Sequence, residues 1–303
     1  MAAFNTRKYL EEAVESVINQ SFSDFELLVI DDGSSDGSDA LLRRVASTDA
    51  RVRVTFRSNR GLVATRNELL ASARGELVAW MDSDDVSLPG RLSLQVSAFE
   101  SDPSLVCLGG AAQCVDPDGH PLNVERYPAS HDDILAAQLK GGAMRFPTTM
   151  MRRNAALAVG GFRAPFKMGE DFDFLLRLSE IGKMGNLPDI IYLYRQHLES
   201  VCKQLGLNWL AYRDQVLELA WERRTHGKDR LQLGGNVFLP TSVTLPTKQL
   251  AGQTYCEWAG YAAQNGDREL ARRYAKASVK AWPWSWVGWK TMFRLALGLR
   301  IPS

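Results

Sequence analysis

Along the first hundred positions the hydrophobic residues switch between two periods. Tyr9, Leu10, Ala13, Val14, Val17 and Ile18 recur at helical spacing, which predicts an amphipathic helix over residues 8–20. Residues 25–30 form a short apolar run with one Glu that ends at Asp31-Asp32-Gly33, the pattern of a buried strand entering a turn. Ser35 or Asp36 can cap a helix carrying Leu41, Leu42 and Val45. Val52, Val54 and Phe56 alternate as a strand, and residues 62–72 read as another helix. Residues 77–81 are a second buried strand, ending at Asp82-Ser83-Asp84-Asp85, and Pro89 opens a helix with Leu92, Val96 and Phe99 on one face. This alternation predicts an α/β class with a mostly parallel sheet and flanking helices.

The pattern loosens after residue 100. Residues 105–109 and 190–194 read as strands, the latter running into Arg195 and His197, and residues 115–130 as a loop or hairpin. Phe174, Leu175, Leu178 and Ile181 mark a helix introduced by Gly169-Glu170-Asp171. Beyond about 204 the texture becomes helical, over 206–226 and 250–281, with Gly266-Asp267 splitting the second stretch. The expected division is therefore 1–204, an α/β domain, and 205–303, a helical region.

Composition narrows the class. The chain has 303 residues, 45% hydrophobic and 23% charged, ample for a core. With 36 Lys+Arg against 35 Asp+Glu, the net charge of +1 argues against a nucleic-acid partner. No run approaches the roughly 20 apolar residues of a membrane span. Arg7 and Lys8 follow the start at once, so no secretory leader is expected and a cytoplasmic setting is. Cys107, Cys114, Cys202 and Cys256 fit no zinc spacing and are too sparse for a disulfide framework; reduced thiols are expected.

Two acidic clusters sit at the carboxyl ends of predicted strands, the edge where open α/β sheets bind ligands. In Asp82-Ser83-Asp84, two carboxylates two residues apart can both face a hard divalent cation in a turn. The plain alternative is a solvated turn with capping aspartates. In Asp31-Asp32-Gly33-Ser34, a carboxylate can accept from a base N–H or a ribose hydroxyl, or simply cap a βα turn. Arg66, in Asn59-Arg60-Gly61 through Arg66-Asn67, can pair with a pyrophosphate or with a surface acid.

Together with Phe4-Asn5, Gln20-Ser21-Phe22, Pro89-x-Arg91-Leu92, Gly160-Gly161-Phe162, Glu170-Asp171 and Arg195-x-His197, these clusters resemble the family-2 glycosyltransferases, inverting enzymes of the GT-A nucleotide-sugar fold. The resemblance covers about residues 2–200. It implies that Phe4, Asp31 and Asp32 hold the nucleotide base, that Arg66 contacts the nucleotide, and that Asp82 and Ser83 approach the ribose. It implies that Asp84, with Asp82 and His197, holds Mn²⁺ or Mg²⁺, and that Asp171, or its neighbour Glu170, is the catalytic base. It also places an apolar strand of about six residues before Ala2, so the first strand reads as truncated.

The resemblance further implies transfer from a nucleoside-diphosphate sugar, a UDP-sugar by expectation, to a glycan or lipid-linked acceptor in surface polysaccharide assembly at the cell envelope. Two other readings stay open: a sugar nucleotidyltransferase, whose Gly-rich basic loop is not seen, and a non-catalytic nucleotide-sugar-binding scaffold. The tail over 282–300, with Trp282, Trp284, Trp286 and Trp289 beside Lys290 and Arg294, suits a peripheral contact at the inner face of the plasma membrane. A helix packed on the catalytic domain is the preferred reading of this tail, and a homodimer contact is a further one.

Overall fold

In a computed structural model of the chain, the structure describes residues 1–200, 209–238, 247–297 and 299. The chain forms two compact units: Met1–Ala112, Glu125–Leu193 and Ala211–Leu239 make the first, and Gln113–Val124, Tyr194–Leu210 and Pro240–Ser303 the second. The break expected near 204 lies outside the described residues, as does Cys202.

The first unit opens with β1 (Ala2–Ala3), α1 (Arg7–Ile18), β2 (Leu27–Asp31), α2 (Ser38–Thr48), β3 (Val52–Phe56), α3 (Leu62–Ser72), β4 (Leu77–Ala79), β5 (Val86–Ser87) and α4 (Arg91–Ser101). Strand/helix alternation yields the expected parallel pairing in the order β1-β2-β3, with Ala2 opposite Ile30 and Leu27 opposite Val52. Tyr9, Leu10, Ala13, Val14 and Val17 are the buried stripe of α1, as their spacing predicts. Helix boundaries shift slightly from expectation. Gly37 caps α2 while the Asp36 carboxylate accepts from the Ser38 N–H at 3.1 Å, and α4 starts behind Gly90, leaving Pro89 in the entry turn.

The chain continues through β6 (Leu105–Val115), β7 (Pro121–Glu125), α5 (His131–Gln138), β8 (Met150–Arg152), α6 (Arg153–Ala158), α7 (Glu170–Ser179) and β9 (Lys183–Arg195). A second sheet runs β4-β8-β6-β9-β5, with β7 paired to β6, so the loop or hairpin expected over 115–130 is a hairpin. Its described ladders β4/β8, β6/β8 and β5/β9 are antiparallel. The partners of β4 and β5 arrive from residues 150–195, without a single βα crossover between them, and antiparallel pairing is then accessible.

One aromatic cluster sets where α7 begins. Phe162 and Phe174 stack at 4.4 Å, Trp80 meets Phe162 edge-on at 5.2 Å, and Phe146 lies 5.6 Å from Phe162. Ion pairs fix the same helix from its other side. Buried Asp173 takes Arg177 at 2.7 Å and Arg163 at 3.5 Å, and Arg163 continues to Asp229 at 2.7 Å. Arg223, on α8 (Trp209–His226), joins Asp229 at 2.6 Å to Glu180 at 2.7 Å.

In the second unit, α9 (Thr247–Gln264), α10 (Arg268–Ala281) and α11 (Trp286–Ala296) build a separate core. Trp258, Ala262, Ala271, Tyr274 and Leu295 pack there with Cys114 and Leu122 from the β6–β7 hairpin. The Asp267 side chain caps α10 and Ser285 caps α11.

Replacing Asp173 removes the carboxylate partner of buried Arg177 and leaves Arg163 with Asp229 alone. Asp173→Ala is expected to destabilise the chain by about 3–5 kcal/mol. Urea unfolding followed by tryptophan fluorescence measures it; a loss below about 1 kcal/mol would show that the network does not hold α7.

Candidate active site

The turns that follow β1 and β2 are laced together at the carboxyl edge of the parallel sheet. The Asn5 N–H donates to Ser34 Oγ at 2.9 Å, the Ser35 N–H to Asn5 Oδ1 at 2.8 Å, and the Arg7 N–H to Asp36 Oδ2 at 2.8 Å. Asp31 Oδ1 accepts from the Ser34 N–H at 3.0 Å. Asp32 is buried and grips the next loop: Oδ1 accepts from the Arg60 N–H at 2.9 Å and pairs with Arg57 at 2.8 Å, and Oδ2 accepts from the Gly61 N–H at 2.8 Å. Gly33 permits this approach. Its φ is +85°, and a Cβ there would stand 2.9 Å from the Asn59 nitrogen. Phe4 projects from the same edge, 49% exposed.

The acid motif after β4 joins this edge through Thr6 Oγ1, which donates to Ser83 Oγ at 3.0 Å. Ala2 and Asp82 form a parallel bridge, and the Asp82 N–H donates to the Tyr192 hydroxyl at 3.2 Å. Tyr192 reaches this point because β9 pairs with β5. The Asp82 side chain keeps 35% of its surface open yet sits in a crowded recess. That burial raises its pKa above the ordinary carboxylate value; Arg66 opposes the rise, and the negative charges of Asp84 and Asp171 add to it.

Asp171 is thereby placed with the acid motif, although 87 to 89 residues separate them in the sequence. Glu170 and Asp171 form the first turn of α7, where the helix dipole favours anions. Arg66, buried on α3, links the groups: 2.7 Å to Glu170 and 3.5 Å to Asp82, its guanidinium 4.5 Å over the face of Phe146. Burial first, then Asp171, pushes the Glu170 carboxyl up to about 7 against the pull of Arg66.

The first unit thus contains Phe4, Asp31, Asp32, Arg66, Asp82, Ser83, Asp84, Glu170 and Asp171, while His197 belongs to the second unit. Sequence reasoning missed Arg57 and Tyr192. Neither carries a local signal, since each matters only through a partner far along the chain.

A different donor cluster lies in the hairpin of the second unit, where ligand atoms of Asp116, Asp118 and His120 fall within 4.8 Å of one another. The Asp116 carboxylate is already engaged, accepting from the Asp118 N–H at 2.9 Å, the His120 N–H at 2.8 Å and the Tyr274 hydroxyl, with His120 Nδ1 at 2.9 Å. Those bonds knit a turn. Asp82 lies in the field of Asp84 while it pairs with Arg66, and two carboxylates in one turn are the oxygen donors that a hard divalent cation takes.

The sequence matches the model of the family described as "Glycosyl transferase family 2" over residues 1–160. It is 28% identical over 207 residues to a hyaluronan synthase of Pasteurella multocida, an alignment covering 68% of this chain and 21% of that protein. The chain thus spans about a fifth of that relative's length. S. aureus TarS 1-349 in complex with UDP-GlcNAc superposes with a TM-score of 0.58 at 18% identity, covering 98% of this chain and 90% of that one. A mannosyltransferase from Pyrobaculum calidifontis, in complex with GDP-Man and Mn²⁺, does so with a TM-score of 0.50 at 17% identity, over 98% of this chain and 84% of that one.

The Glu170 carboxyl should titrate near pH 7, and removing the cation beside it in Arg66→Gln should move the midpoint upward. Carbon-13 NMR of glutamate-labelled protein reads both. An unchanged or lower midpoint in the variant would break the proposed link between Arg66 and Glu170.

Proposed function

The chain belongs to glycosyl transferase family 2, with the GT-A fold that the sequence resembles, and we propose that it moves a sugar from a nucleoside-diphosphate sugar, a UDP-sugar, to a glycan or lipid-linked acceptor in surface polysaccharide assembly. The observation that carries this reading is that Arg66 pairs with both Asp82 and Glu170, with Asp84 and Asp171 in the field of Asp82. The hyaluronan synthase relative supports a polysaccharide product, and the UDP-GlcNAc complex of the TarS neighbour supports the donor class.

Asp171 is assigned as the base. Its carboxylate takes the acceptor hydroxyl proton as that oxygen bonds to the anomeric carbon, while the bond from that carbon to the diphosphate oxygen breaks on the opposite face. The stereochemistry inverts, and no covalent sugar–enzyme intermediate forms. Glu170 holds Arg66 and so positions Asp82. Phe4 lies against the base, Asp31 and Asp32 shape the pocket edge that receives the base, and Ser83 and Asp82 face the ribose.

Asp84 and Asp82 would hold Mn²⁺ or Mg²⁺; the manganese complex of the mannosyltransferase neighbour supports this choice. When bound, the cation offsets charge growing on the departing diphosphate.

Among the described residues no helix is long and apolar enough to cross a membrane. We assign α11 to a peripheral contact at the inner face of the plasma membrane. Trp284 is 89% and Trp286 77% exposed, Phe293 and Leu297 are exposed beside them, and α11 carries Lys290 and Arg294 without an acid.

In a UDP-release assay across a donor panel with Mn²⁺, Asp171→Asn should lower transfer about 100- to 10,000-fold while donor binding by calorimetry persists. Wild-type rates in a folded variant would remove Asp171 from this role. Chelation of the metal should abolish release and Mn²⁺ restore it; donor binding without turnover by the wild type under all conditions would favour the scaffold. The wild type should co-sediment with anionic liposomes more than a chain ending near residue 281, and equal soluble fractions would reject the membrane contact.

A further inference from the structure

The chain that leaves β4 for the acid motif is gripped by a side chain with no part yet in the transfer. Arg91 opens α4, and the Gln20 amide sets that entry: Oε1 accepts from the Leu92 N–H at 3.2 Å, and Nε2 donates to the Leu88 carbonyl at 2.9 Å. Arg91 Nη2 then donates to the Trp80 carbonyl at 2.9 Å and to the Thr149 carbonyl at 3.4 Å, and Nε donates to Gln95 Oε1 at 3.0 Å. The Thr149 carbonyl also accepts from the Trp80 N–H at 2.9 Å, one step beyond the Ala79–Met150 pair. Arg91 therefore sits at the last rung between β4 and β8, just ahead of Asp82.

The guanidinium is fully buried, yet each of these acceptors is an uncharged amide oxygen. Burial lowers the group to about 10, and Tyr192, Asp85 and Asp82 oppose the fall, so it stays a cation at neutral pH. Taking a cation out of water is costly, and packing alone would be met by an apolar side chain. The guanidinium also lies 5.0 Å over the ring of Tyr192, itself fully buried, whose hydroxyl accepts from the Asp82 N–H at 3.2 Å. These two stacked side chains thus hold the peptide groups on either side of Met81, one by its carbonyl and the other by its N–H. Serving two carbonyls and an amide from above a ring takes a planar fork, which lysine lacks.

We propose that Arg91 is a positioning residue of the transfer site: packed on Tyr192, it fixes the chain about Met81 and so the direction in which Asp82 and Asp84 face the donor diphosphate and its cation. The proposal rests on the role given to those two acids under the transferase reading. Rotation about Met81 would swing both carboxylates away together, and a small misplacement of groups that bind as a pair is costly.

Arg91→Lys and Tyr192→Phe test it in the full chain. Arg91→Lys keeps the charge and loses the fork; Tyr192→Phe keeps the ring and loses only the acceptor of the Asp82 N–H. In ligand-free protein, amide exchange at Asp82 is expected to quicken about tenfold in both variants, although Arg91 does not touch that amide, while exchange at Val14 in α1 stays unchanged. Calorimetry with UDP and Mn²⁺ should show binding weakened about fivefold in each, and in the double variant by less than the product of the two. A merely structural role would lower the melting midpoint and the fraction of chains that bind, and leave the binding constant alone. An unaltered Asp82 amide in Arg91→Lys, or unaltered UDP–Mn²⁺ affinity in either variant, overturns the proposal. Where Arg91→Lys fails to fold, Tyr192→Phe decides by the same two readouts. A wild type that binds no UDP with Mn²⁺ would overturn the proposal by way of the transferase reading, and an Asp82 amide that still responds tells that failure from the others.

Discussion

One buried guanidinium holds the site together. Arg66 sits 2.7 Å from Glu170 and 3.5 Å from Asp82, with the face of Phe146 4.5 Å away. Taking a cation out of water is costly, and the acids around it are what make the position tenable. The converse holds too. Asp84, Asp171 and Glu170 act on or feel the charge of Asp82, Asp171 also acts on Glu170, and without a positive charge among them these carboxylates would favour their protonated forms. Burial first, and then like charge, still raise the Asp82 and Glu170 carboxyls against the pull of Arg66. The proposed divalent cation would ease this crowding of carboxylates.

Arg66 can perform this role because three chain segments are brought to it by unrelated means. The first turn of α7 is carried in by the stacked Phe162 and Phe174 and secured by the Asp173–Arg177–Arg163 pairs. The acid motif after β4 is held by the Ala2–Asp82 bridge and the Tyr192 hydroxyl. The turns after β1 and β2 are tied to each other through Asn5 and Asp36, and Asp32 ties the second of them to the loop at residues 60–61. Asp32 shows how a carboxylate at a ligand-binding edge can also be structural, since each of its oxygens accepts a backbone N–H and so shapes the loop that borders the pocket.

Much of this was legible in the residue pattern. The stripe of α1, the buried run of β2, and the acid-rich turns after β2 and β4 are local signals with a period or a turn chemistry behind them, whereas β4, expected to be buried, is half-buried at Leu77 and Val78 and exposed at Ala79. Glu170-Asp171 at the head of α7 was legible for the same reason. In the second sheet β4, β6 and β9 were legible in part, but β5 and β8 were not, because they are two and three residues long and a strand that short has no periodicity. Tyr192 and Arg57 went unread because their importance lies wholly in contacts with Asp82 and Asp32.

The sequence by itself determined the family, the helices, the parallel first sheet and the acids placed at strand ends, since each follows from neighbours within a few positions. Tertiary structure decided which of those acids share a field and that Arg66 is spent on Glu170 and Asp82. The reason is range: periodicity and turn chemistry are set along the backbone, whereas Coulomb coupling and ladder edges depend on distances that only the folded chain defines.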